Sequence, residues 1–133
     1  MRKGPIEEFK RLGYEPENNY VWSVLKEDGL CLALWDGEID QKRERTMVFD
    51  TRLDSSPTDW RDDPKAEKRL RELEIARARF GGRVDVVLRR GTPDENDGTA
   101  QAWEPIGRRA GTYWRCDELD IEAREFVIRR HEE

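Results

Sequence analysis

The sequence is short of the residues that most enzymes use. Its 133 residues hold one histidine and two cysteines. His131 sits at the C-terminal end, where chains are commonly mobile, so neither a histidine-activated nucleophile nor a histidine metal cluster is expected. Cys31 and Cys116 are far apart, in no metal-ligand spacing, and read as buried free thiols of a reducing compartment. No apolar run approaches the roughly 20 residues of a membrane span. No secretory leader is read at the N-terminus, so the expected location is cytoplasmic, with no membrane partner. P-loop, dinucleotide, HExxH and GxSxG motifs are missing. The sequence therefore assigns no catalytic residue, no metal ligand and no cofactor.

An overall basic excess, the usual footprint of a nucleic-acid binder, is also missing. The net charge is −5. The charge is uneven, however: residues 61–90 carry ten basic and six acidic side chains, against −4 for residues 1–60 and −5 for residues 91–133. Charged residues make up 41% of the chain and hydrophobic ones 35%. Five tryptophans and regular apolar spacing still argue for one folded domain over residues 1–133 with a heavily charged surface.

The most legible stretch is Tyr20 to Asp36, two apolar runs around Asp28-Gly29. Asp-Gly between alternating runs predicts a two-residue hairpin. That register sets Leu25 opposite Leu32 and Trp22 opposite Trp35, a tryptophan pair worth up to ~1 kcal/mol. A leucine face then carries Val21, Ser23, Leu25, Leu30, Leu32 and Leu34. An aromatic face carries Tyr20, Trp22, Val24, Cys31, Ala33 and Trp35.

Around the hairpin, Pro5 and Gly13 bound a short helix over 5–12 with Ile6, Phe9 and Leu12 in one stripe. Thr46 to Phe49 has strand composition and is expected to pair back on the hairpin. The polar loop 50–63 is long enough to need an anchor, for which Trp60 is the candidate. The main helix is 64–80: Asp63 caps it, Pro64 opens it, Gly81-Gly82 ends it, and Ala66, Leu70, Leu73, Ala76 and Phe80 form its apolar stripe. Arg77 falls inside that stripe and reads as a snorkelling arginine, with an arginine aimed into a pocket as the alternative. Strands are read at 83–89, 101–103, 112–119 and 124–130. The expected fold class is α+β: a mostly antiparallel sheet packed by the helices 64–80 and 5–12, with partial barrel closure as the variant.

Function rests on aromatics interleaved with arginine. Small sheets that hold nucleotides or single strands stack bases on aromatic rings and bind phosphate with arginine. The candidate ligand-binding residues are Trp22, Trp35, Arg77, Arg89, Arg109, Trp114 and Arg115, and the expected partner is nucleic acid or a nucleotide-like ligand. A second reading is a protein-interaction module or homodimer that uses the Trp22/Trp35 face. The third is a metal-dependent nuclease-type hydrolase, resting on Asp40-Gln41-Lys42. Spacing that short recurs by chance in so charged a chain, at Asp63-Pro64-Lys65 for example.

Overall fold

The computed structural model describes residues 4–18, 20–40, 46–51, 63–91 and 98–133. The fold is α+β, a mostly antiparallel sheet packed by two helices. Its elements are α1 (Pro5–Arg11), β1 (Ser23–Lys26), β2 (Gly29–Trp35), β3 (Val48–Asp50), α2 (Pro64–Phe80), β4 (Arg83–Arg89), β5 (Ala100–Ala102), β6 (Thr112–Asp120) and β7 (Glu125–Glu132). The strand order is β1-β2-β4-β6-β7-β3. Strand β5 lies beside the second half of β4, whose first half pairs with β6. Among the described residues, only the β2–β4 pair is parallel. Among the described residues, no helix is long and apolar enough to cross a membrane.

The main helix begins and ends where its residues require. Asp63 accepts a hydrogen bond from the Lys65 N–H at 2.8 Å, and Pro64 follows at the first helical position. Gly81 closes the helix in the left-handed conformation, φ 63°. Gly82 follows at φ 85°, and a Cβ there would stand 2.8 Å from the Cys116 carbonyl oxygen, so two constraints demand glycine. As the stripe predicts, Leu70, Leu73 and Ala76 bury against Leu30, Leu32 and Leu34 of β2. Each fully buried leucine contributes roughly 1.5–3 kcal/mol. The opposite face of β2 is covered as well: Cys31 and Ala33 pack with Phe9 of α1, Tyr14 and Val87.

The hairpin departs from the expected register by two residues. Leu25 faces Leu30, Ser23 faces Leu32, and Lys26 faces Gly29. The turn is therefore Glu27-Asp28, and neither residue has positive φ. Glycine at 29 answers to packing instead. A Cβ there would overlap the Tyr14 hydroxyl. Tyr14 is buried beneath the strand and donates a 2.7 Å hydrogen bond to Asp85. Because the shift is even, every strand residue keeps its expected face, but the tryptophan pair is lost. Ala33 donates to the Trp22 carbonyl at 2.9 Å, so Trp22 stands beside Ala33. Val21, expected on the leucine face, packs with the Phe9 cluster because the chain bends ahead of β1.

The expected third hairpin strand also goes elsewhere. Val48 and Phe49 pair with Arg129 and Ile128 of β7. Strand β2 is apolar on both faces, and its second edge is taken by β4, whose Val84, Val86 and Val87 are buried. Phe49 instead stacks on Phe126 with ring centroids 5.7 Å apart. The barrel variant does not form, and the sheet stays open. Its two ends nevertheless approach one side chain. The Arg69 guanidinium of α2 lies 4.9 Å from the Trp22 ring, 4.8 Å from Phe126 and 6.0 Å from Phe49. The strands 83–89, 101–103, 112–119 and 124–130 are all found, with ends moved by a residue or two. Trp60 and most of loop 50–63 lie outside the described residues, as do Gln41 and Lys42.

The Gly29–Tyr14 contact is directly testable. Gly29→Ala is expected to destabilise the protein by about 1–3 kcal/mol through overpacking, measured by urea denaturation. Tyr14→Phe, which removes the overlapping oxygen, should recover part of that loss in the double variant. Additive effects would disprove the contact.

Candidate functional site

Of the residues singled out from sequence, Trp35 and Arg89 come together. They are register partners at the carboxyl ends of the parallel pair. The Arg89 guanidinium carbon lies 4.4 Å from the Trp35 ring centroid, within cation–π range. Leu34 and Leu88 point to the α2 side, so Trp35 and Arg89 lie on the other face. Arg89 is only 8% exposed, and its Nε is buried without a hydrogen-bond partner among the described residues. Burial pushes its pKa down, and the nearby Tyr20 hydroxyl opposes that shift. The strand ends are fastened here: Gly91 donates to Asp36 Oδ1 at 2.8 Å, and Gly37 donates to the Gly91 carbonyl at 2.8 Å.

Tyr20 is 67% exposed, and the Lys65 ammonium lies 5.9 Å from its ring and 5.9 Å from the Trp22 ring. One end of the sheet thus gathers three rings (Tyr20, Trp22, Trp35) and three cations (Lys65, Arg69, Arg89) in a protein of net charge −5. Arg69, which sequence reasoning missed, is 6% exposed. Its pKa is lowered to about 10 by burial, against the pull of Glu38. Arg69 adjoins Leu70 in the buried stripe, but residue type argued against placing a cation there.

The other candidates are dispersed. Trp22 contacts the α2 side while Trp35 lies on the opposite face, so the expected joint Trp22/Trp35 face does not exist. Trp114 is buried in the core, edge-on to Trp103 at 5.3 Å and 88°. Arg109 covers Trp103 at 4.0 Å and donates to the Ala102 carbonyl at 3.3 Å. Arg77 is exposed in the last turn of α2, as a snorkelling arginine would be. Cys31 and Cys116 are buried free thiols, and burial pushes Cys116 up to about 11, so neither is a ready nucleophile.

Arg115 belongs to a separate cluster on β6 and β7. Asp117 sits at a bulge, where its carboxylate accepts from Arg115 at 2.6 Å and Arg129 at 3.2 Å. His131 Nε2 lies 2.9 Å from the same carboxylate, and its ring stacks on Tyr113 at 5.4 Å. His131 is therefore held in a strand rather than in a mobile tail, because β7 runs on to Glu132 and pairs His131 with Tyr113. Burial raises the Asp117 pKa, but the hydrogen bonds from Arg115, Arg129 and His131 outweigh it and hold the group below its ordinary value.

The sign of the resulting pH dependence follows from that depression. The stabilisation from Asp117 is complete above the ordinary carboxylate value, ~3.9, and is lost as pH falls through the lower folded value. The urea midpoint of the natural protein should fall in that acid range. Asp117→Asn should be less stable at neutral pH and should converge with the natural protein in acid. Parallel profiles would show that the three donors do not act on Asp117.

Searches against protein-family models, curated proteins and solved structures find no match to this chain.

Proposed function

We propose that this protein is a recognition module for an anionic ligand that carries a flat ring, a nucleotide or a short single-stranded nucleic acid. The ligand docks at the end of the sheet where Tyr20, Trp35 and Arg89 meet. One observation carries the reading: Arg89 is buried on the Trp35 ring with an N–H that has no acceptor among the described residues. That N–H is closed to solvent, so docking requires the guanidinium to turn in its plane over the Trp35 ring. A phosphate oxygen then recovers the roughly 1–3 kcal/mol that a buried unsatisfied donor costs. Stacking on Trp35 fixes the guanidinium plane, so little side-chain entropy is lost on binding. The exposed Tyr20 ring supports base stacking, worth about 1–3 kcal/mol per base in single-strand binders. Placement outside the carboxyl ends of parallel strands supports the same location.

The net charge limits the ligand. A long polyanion meets repulsion from the acidic surface, so a short strand or a mononucleotide suits this end better than a duplex. In this reading the chain works as one domain in a reducing cytoplasm, which two free buried thiols support. The dimer reading loses its joint tryptophan face, and the hydrolase reading rests on Lys42, outside the described residues.

Fluorescence anisotropy with labelled oligo-dT and oligo-U, at low and moderate salt, tests the proposal. Binding should weaken with salt. Arg89→Met should weaken it by about tenfold or more, and Tyr20→Ala by about fivefold, with circular dichroism unchanged. No binding at low salt, or full binding by Arg89→Met, would overturn the reading.

A further inference from the structure

We infer that the free edge of β1 is a docking site for an extended peptide of another protein, which adds a strand to the sheet. β1 ends the strand order, and no strand pairs with its outer side among the described residues. The 2.9 Å bond from Ala33 to the Trp22 carbonyl sets the alternation. Trp22, Val24 and Lys26 direct their backbone groups to β2, while Ser23 and Leu25 direct theirs outward. One outward group is engaged: Lys68 donates to the Ser23 carbonyl at 2.9 Å. The Ser23 N–H and both backbone groups of Leu25 remain directed at the open side.

That side is a groove of about 370 Å³ rather than a flat edge. It straddles the strand, with Lys65, Lys68 and Glu72 of α2 on one wall and Glu15 and Glu17 on the other. An added strand sends alternate side chains to the two walls, which is how edge-strand addition obtains specificity. The walls carry opposite unsatisfied charge. Glu72 is neutralised by Lys68 at 2.7 Å and held by the Ser23 hydroxyl at 2.6 Å. Lys65 on the helix wall, and Glu15 and Glu17 on the loop wall, have no ion-pair partner among the described residues. The fitting occupant therefore presents basic side chains to the loop wall and acidic ones to the helix wall, with Val24 and Leu25 supplying apolar contact between them.

The probe is a fluorescein-labelled peptide, Lys-Val-Val-Glu-Lys-Val, which places lysines on one side and glutamate on the other. Its control is the inverted Glu-Val-Val-Lys-Glu-Val. The first should bind at least about fivefold more tightly by anisotropy. Its amide signature should be shifts at Ser23 and Leu25 in a 15N–1H spectrum. The exchange of charges in Lys65→Glu with Glu17→Lys should reverse the preference between the peptides. Arg89→Met should leave peptide affinity within about twofold, since that residue lies on the far side of β2. Equal or absent binding of the two peptides, shifts located elsewhere, or loss of binding in Arg89→Met would overturn the inference. So would sedimentation as a dimer with the Leu25 amide already protected, because the edge would then belong to a second copy of the chain.

Discussion

Strand β2 is apolar on both faces, and the rest of the fold follows from the need to cover it. Leu30, Leu32 and Leu34 require a helix on one side; Cys31 and Ala33 require cover on the other. A strand buried on both faces also cannot leave an edge in water without exposing backbone groups next to apolar side chains. Its inner edge is therefore taken by β4, which buries Val84 and Val86 on the helix side and Val87 on the other. Parallel pairing of β2 and β4 needs a crossover, and α2 is the helix that serves it. The helix arrives over the leucine face because Leu70 and Leu73 have nowhere else to bury.

The same arrangement sets the electrostatics. Residues 61–90, which include α2 and β4, have a positive balance. Lys65 and Arg69 of the early turns of α2 lie over Tyr20 and Trp22, and Arg89 stands at the carboxyl end of β4. Arg77, Arg79 and Arg83 lie at the opposite ends of these elements. Cations that would otherwise face water are laid on rings: Arg69 on Trp22 and Phe126, Arg89 on Trp35, Arg109 on Trp103. Stacking lets the protein bury guanidinium carbon against apolar surface while the charge keeps a favourable partner. Arg69 fills the space between the two ends of the open sheet, where full barrel closure would have needed strand pairing.

Residue patterns carried much of this. Ala66, Leu70, Leu73 and Ala76 named the face of α2, and Asp63-Pro64 and Gly81-Gly82 named its ends, because caps and periodicity are local effects. Alternation named the two faces of the hairpin and survived the register shift, since a slip of two residues leaves faces unchanged. The shift itself was invisible. Asp28-Gly29 satisfies a turn rule, but Gly29 is needed for Tyr14, whose position beneath the strand depends on a contact spanning the loop.

Local chemistry thus determined which residues form helices and strands, which faces are apolar, and that aromatics and arginines alternate on the sheet. Only the tertiary structure decided which of them meet. Trp35 met Arg89 because two strands whose partners lie 54 residues apart in sequence (89 − 35) pair in parallel register. Trp22 left Trp35 for Arg69 because a bend before β1 turned it toward the helix. His131 gained Asp117 because β7 runs beside β6 to its end. Each of these contacts depends on the order of strands in space, which residue type and spacing along one chain do not encode pairwise.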